Sequence, residues 1–179
     1  PEPGGGGARA GRHRRGAARA VGGGLGVPAR GAGPGGSVRH PASGCGVVGL
    51  KPTDGLVPLR GVIPLATSLD HVGPIARSVA DVAAALTAIS GFDPADPTSI
   101  PAPSADYLAA IGRDVRGLRV GIPSNSFYQF GLPQALELVD LSRRTLERLG
   151  LQPLSLHLPR AGGHNSLCTR IIASDLCTS

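Results

Sequence analysis

From Ser78 to the end of the chain, apolar and polar positions alternate in blocks with two distinct periods. In SVADVAAALTAISG, Val79, Val82, Ala83, Leu86 and Ile89 fall on one stripe at helical spacing, which predicts a helix with one face on a core. Ser78 stands at its N-cap, Asp81 at the capping-box position and Gly91 at its C-terminal stop. A short helix near Ala105–Ile111 leads into GLRVGIP, which reads as a strand. PQALELVDLSRRTLERLG predicts a helix from Pro133 to a stop at Gly150, with charges of alternating sign on a solvated face. LQPLSLHLP reads as a strand and NSLCTRIIASDLCTS as a last helix. Helices alternating with strands in this way predict an α/β fold, with helices covering a sheet. Before Ser78 the pattern is weaker. VVGLK reads as a short buried strand stopped by Pro52, and TDGLVPLRGVIPLATSLDHVGP as loops with brief extended pieces. Residues 1–32 show neither period, so an irregular segment is expected there.

Composition changes this picture at one end only. The 179 residues are 41% apolar and 3% aromatic, with no Trp and no Met. The core must therefore lean on Val, Leu, Ile and Ala. A chain that opens on Pro1 without a methionine reads as an internal piece, hence an incomplete domain. The formal charge of +6 comes entirely from residues 1–40, which also hold 14 of the 28 glycines; the remainder is neutral. Cys45, Cys168 and Cys177 are odd in number and lack metal-ligand spacing, so reduced thiols and no metal are expected. His164 and Cys168, four residues apart, are the one pair with a spacing that suits a shared metal. No apolar run has membrane-spanning length. A cytoplasmic location is the expectation.

Candidate chemistry concentrates in GPGGSVRHPASGCGVVGLKPT, residues 33–53. GCGVVG, Gly44–Gly49, spells the GxGxxG of a dinucleotide loop. Such a loop needs a strand before its first glycine and a helix after its last. Pro52 blocks a helix there, so no cofactor is expected. Ser37 follows Gly35 and Gly36 in a turn where backbone N–H groups can approach a substrate closely. A serine hydroxyl becomes a nucleophile only when a base takes its proton. GGSVR is not the GxSxG of an α/β-hydrolase elbow, because Arg39 stands in place of the last glycine. Asp70 and His71 with Ser37 offer the residue types of a Ser-His-Asp triad.

The stretch from Gly35 to Ser99 resembles the core of the amidase signature family. Its marks are GGSVR, GCGVVGLKPT, SLDHVGP and GFDPADPTS, in order. PLATSLDHVGP is more similar to the general amidases than to the A subunit of tRNA-dependent amidotransferases. The resemblance implies a mixed β-sheet covered by helices and a Ser–cis-Ser–Lys triad without metal. It makes Ser37 the acyl nucleophile and places Gly35 and Gly36 in the oxyanion loop. It further implies a small-molecule amide as substrate and SLDHVGP as scaffold rather than catalytic machinery.

The upstream part departs from that family. No serine precedes Ser37, where a bridging serine would fall near His13, and Lys51 is the only lysine in the chain. Pro34 and Gly33 replace the usual residues of the oxyanion loop, and Pro34 has no N–H to donate. Two segments are therefore expected: residues 1–34, Gly/Arg/Ala-rich and irregular, a frame-shifted, mis-read or decayed stretch; and residues 35–179, the central part of an amidase-signature domain. Reading the coding DNA in all frames tests the first. The expected function is an amidase-type serine hydrolase acting through an acyl-enzyme on Ser37, this chain by itself being inactive. Three alternatives stand beside it: a catalytically inactive remnant, the A subunit of a tRNA-dependent amidotransferase, and nucleic-acid binding by the arginine-rich arm. That arm has no aromatic to stack on bases, so nucleic-acid binding is not expected.

Overall fold

Strand β3, Val72–Ala76, is buried at all five positions and organises the first half of the chain. In the computed structural model, which describes residues 15–25, 28–32, 36–103, 105–125, 131–159 and 163–178, β3 is the middle of a three-stranded antiparallel sheet. Strand β1, Pro28–Ala32, pairs along its whole length, with Pro74 opposite Arg30. Strand β2, Val48–Gly49, pairs on the other side, with Gly49 opposite Ile75. Pro74 gives no N–H to the ladder, but its carbonyl accepts from Leu50 N at 3.1 Å and prolongs the pairing.

Successive side chains of β3 point to opposite faces. On one face Ile75 packs with Ala18 of helix α1, Arg15–Gly22, with Val38, and with Ala42 and Cys45 at helix α2, Arg39–Gly44. On the other, Val72 packs with Val57 and with Leu86 of helix α3, Val79–Ile89. Helix α3 begins as its sequence predicts. Ser78 Oγ accepts from Asp81 N at 3.1 Å and donates to the Asp81 carboxylate at 2.8 Å. Val82, Ala83 and Leu86 form the buried stripe. Val79, expected on that stripe, is 62% exposed, because it opens the helix a full turn ahead of the residues that meet the core.

Where residues 1–34 are described, α1 and β1 correct the expected irregularity: 15–22 are helix and 28–32 strand. Their signal is faint because α1 presents only two buried positions, Ala18 and Val21, three residues apart amid Arg and Gly. The glycine run that surrounds them hides the period.

The chain divides into two compact units, Pro1–Ile111 with Arg170–Ser179, and Gly112–Thr169. The second holds strand β4, Arg119–Pro123, helix α4, Pro133–Arg148, and strand β5, Gln152–Leu156, with β4 and β5 paired in parallel. This is a βαβ unit of the kind the alternating blocks predict. On α4, Arg143 bonds Asp140 at 2.8 Å and Glu147 at 2.6 Å, in keeping with a charged outer face. Helix α5, His164–Thr178, closes the chain, and the short helix expected near Ala105–Ile111 is a 3-10 turn, Leu108–Ala110. Among the described residues no helix is long and apolar enough to cross a membrane.

Asp96 ties the GFDPADPTS turn to the segment before it. Its carboxylate accepts from Leu59 N at 2.5 Å, Thr98 N at 2.9 Å and Thr98 Oγ at 2.7 Å. The Thr98 hydroxyl first, then the Leu59 and Thr98 N–H groups, hold its carboxyl below the ordinary range. A carboxyl depressed by folding adds stability that is present above its unfolded pKa of about 3.9 and is lost as pH falls through the folded value. In urea titrations at several pH values, Asp96→Asn is expected to be less stable than the parent at neutral pH. The gap should narrow below about pH 4. A gap independent of pH would show that the carboxylate charge contributes nothing.

Candidate active site

The turn that carries Ser37 is fixed on both sides. Gly36 has φ of +104°, a conformation that favours glycine, and a Cβ there would lie 2.9 Å from the His40 ring. Its carbonyl accepts from His40 N at 2.9 Å and so starts α2. Val38, on the other side, is 2% exposed and belongs to the Ile75 cluster. Ser37, half-buried between a glycine of positive φ and a core valine, has little freedom to move.

Gly49 sets the position of α2 against β2. A Cβ there would meet Ala42 Cβ at 2.7 Å and Val38 O at 2.9 Å, so only a glycine lets the helix and strand approach this closely. GCGVVG therefore runs from the end of a helix into a strand, the reverse of the strand-to-helix order of a dinucleotide loop. Of its glycines, Gly49 serves this packing, while Gly46 takes a φ of +66° in the turn after the helix.

Ser37 lines a cavity of about 170 Å³ with Gly36, Val38, Arg39, Lys51, Leu69 and His71. Lys51 donates to Pro52 O at 2.6 Å. The His71 ring bonds Leu69 O through Nδ1 at 2.8 Å, while Nε2 is buried without a hydrogen bond, 3.5 Å from Asp54 Oδ1. Leu69 and His71 line this cavity whereas Asp70, between them, lines another. The Ser-His-Asp grouping suggested by the sequence is thus not assembled: Ser37 and His71 share a cavity, and the acid beside His71 is Asp54. The sequence does not foretell the arrival of Lys51 and His71 at the serine. Gly33, Pro34, Gly35 and His13 lie outside the described residues. Cys45 is buried and Cys168 half-buried, neither in a disulfide, and no cluster of metal-ligating side chains occurs among the described residues.

Comparison with known proteins identifies the family of this fold. The sequence model of the family described as Amidase matches residues 15–178, so α1 and β1 fall within the match. The chain is 47% identical over 146 residues to the A subunit of the glutamyl-tRNA(Gln) amidotransferase of Akkermansia muciniphila, covering 82% of this chain and 31% of that protein. It superposes on the crystal structure of the corresponding Thermotoga maritima protein, again the A subunit of a glutamyl-tRNA(Gln) amidotransferase. The TM-score is 0.86 at 36% identity, covering 91% of this chain and 36% of that one. The native peptide amidase of Stenotrophomonas maltophilia gives a TM-score of 0.78 at 37% identity, covering 90% and 34%. The chain spans about a third of the length of such relatives. With its fold shared and most of its sequence matched, the chain belongs to the amidase signature family.

Proposed function

We propose that this chain carries the nucleophile of an amidase-type serine hydrolase that cleaves a carboxamide C–N bond. The observation that carries the reading is the seat of Ser37, pinned between Gly36 and Val38 on the wall of a cavity. Ser37 Oγ attacks the amide carbon as its proton leaves to a base. In this reading Gly35 and Gly36 belong to the oxyanion loop, whose backbone N–H groups stabilise the oxygen that gains charge. The C–N bond then breaks, the amine leaves with a proton, and water releases the acid from the acyl-serine. The small-molecule amide accounts for the partner this site needs, and no step requires a metal.

The test is labelling, with a fluorophosphonate, of a full-length parent that contains this segment, since the segment by itself is expected to be inactive. Ser37→Ala is expected to abolish it, while labelling that survives the substitution refutes the assignment. A folded parent that does not label favours the inactive remnant, consistent with the lack of any serine before Ser37. A second reading, the A subunit of an amidotransferase, is favoured by the 47% identity to one. It predicts the same acyl-serine, with ammonia passed to an acceptor instead of released.

A further inference from the structure

His71, which directly precedes β3, is held between two acceptors. Its Nδ1 lies 2.8 Å from Leu69 O, and its Nε2 lies 3.5 Å from Asp54 Oδ1. A carbonyl and a carboxylate only accept, so each ring nitrogen needs a proton to bond its neighbour. A neutral imidazole carries one. With that proton on Nδ1 the Leu69 bond is made, and Nε2 turns a lone pair toward a carboxylate. Nε2 is buried and makes no hydrogen bond, in keeping with that state. Moving the proton to Nε2 sets the bare Nδ1 against the Leu69 carbonyl instead. Only the imidazolium donates to both.

The surroundings permit the change. The Asp54 side chain is 77% exposed and that of His71 only 15%, so the carboxylate is the partner free to move. A charged N–H···O bond spans about 2.7–2.9 Å, which asks Asp54 to approach by less than about 1 Å. Arg39 and Lys51 line the same cavity as His71 and oppose a further positive charge there, Lys51 with its ammonium bonded to Pro52 O. Asp70, before His71 in the chain, keeps Oδ2 on Leu65 N and Ala66 N and lines the other cavity. Asp54 is therefore the acid that meets the ring.

We propose that His71 and Asp54 form an acid-operated latch on the wall of the Ser37 cavity. Uptake of a proton at His71 Nε2 closes a charged hydrogen bond to Asp54 and ties the segment 51–54 to the entry of β3. Imidazole side chains change charge between about pH 5 and 8. The bond is present at the acid end of that window and is lost as pH rises through it. Lys51 lines the cavity three residues before Asp54, so closure stiffens that wall. The latch stands whether or not Ser37 is a nucleophile.

The experiment is nitrogen-15 NMR of the full chain at about pH 8 and about pH 5.5, the two sides of that window. It reads the His71 ring nitrogens and the hydrogen-exchange protection of Leu56 N–H, whose bond to Thr53 O at 3.3 Å closes the turn that holds Asp54. The ring is expected neutral with its proton on Nδ1 at the higher pH, and protonated on both nitrogens at the lower. Leu56 protection should be about threefold higher at the lower pH, the scale of an ion pair with one exposed partner. Asp54→Asn should lose most of that increase, since an amide brings no charge to the imidazolium. The ring readings come from the unsubstituted chain and do not depend on the variant. A ring protonated on Nε2 at the higher pH, a ring still neutral at the lower, Leu56 protection that does not rise, or a folded Asp54→Asn chain with the parent's full rise would each overturn the latch.

Discussion

Ile75→Ala is expected to cost about 2–5 kcal/mol of stability, the largest loss any single truncation should produce in this chain. Ile75 is fully buried, the fourth of the five residues of β3, and belongs to the cluster of Ala18, Val38, Ala42 and Cys45. Those neighbours are small or pinned by backbone pairing, so they cannot collapse into the space that truncation leaves. Native domains are stable by about 5–15 kcal/mol, so a loss of this size brings the chain near the threshold of folding. The measurement is the urea midpoint at constant slope. Ile63→Ala is the control: Ile63 is 91% exposed and should change stability by no more than about 0.5 kcal/mol. Equal effects at the two positions would show that the Ile75 cluster is not the core of the first unit. Val38 in that cluster follows Ser37 directly, so the same variant should also slow any labelling of the serine.

The parts of the fold legible in the sequence are those in which one local pattern suffices. Helix α3 has its cap, its stripe and its stop within fourteen residues, and only Val79 departs from the reading. The βαβ unit is equally open, because Pro133 and Gly150 mark both ends of α4. Strand β3 is hidden by Pro74, which argues against a central strand when seen alone. The structure admits it because the ladder uses the Pro74 carbonyl and does not need its nitrogen. Helix α1 is hidden by composition: Arg and Ala favour a helix, but glycines on either side leave no apolar period to read. Helix α2 is too short to show a period at all.

The site divides along the same line. Ser37 and the turn before it can be read because glycine pairs and a hydroxyl residue make a local signature. Lys51 and His71 cannot be brought to Ser37 from the sequence, since fourteen and thirty-four positions separate them from it. Only the hairpin-like return of β2 along β3 closes those distances. Asp70 shows the opposite case. It is read most simply as a partner of His71, its neighbour, yet the two residues line different cavities, Asp70 N being tied back to Ala66 O where the turn ends.

The glycine that ends GCGVVG gives the sharpest test of what that motif does. If it serves packing, Gly49→Ala should reduce the reaction of Ser37 far more than it reduces folding. The added Cβ would sit 2.7 Å from Ala42 Cβ and 2.9 Å from Val38 O, and helix α2 must shift to relieve both. Val38 carries Ser37 with it, and a displacement of about 1 Å at a reacting group can cost on the order of a hundredfold in rate. Overpacking of this kind costs about 1–3 kcal/mol of stability, which leaves a folded chain to assay. The readout is the labelling rate of Ser37 in the full-length parent carrying the substitution, beside the urea midpoint of the same variant. Ala42→Gly in the Gly49→Ala background removes the first of the two collisions and should restore part of the rate, the Val38 carbonyl still being crowded. A Gly49→Ala chain that labels at the parent rate would detach the motif from the serine turn and leave its glycines without a role in the site.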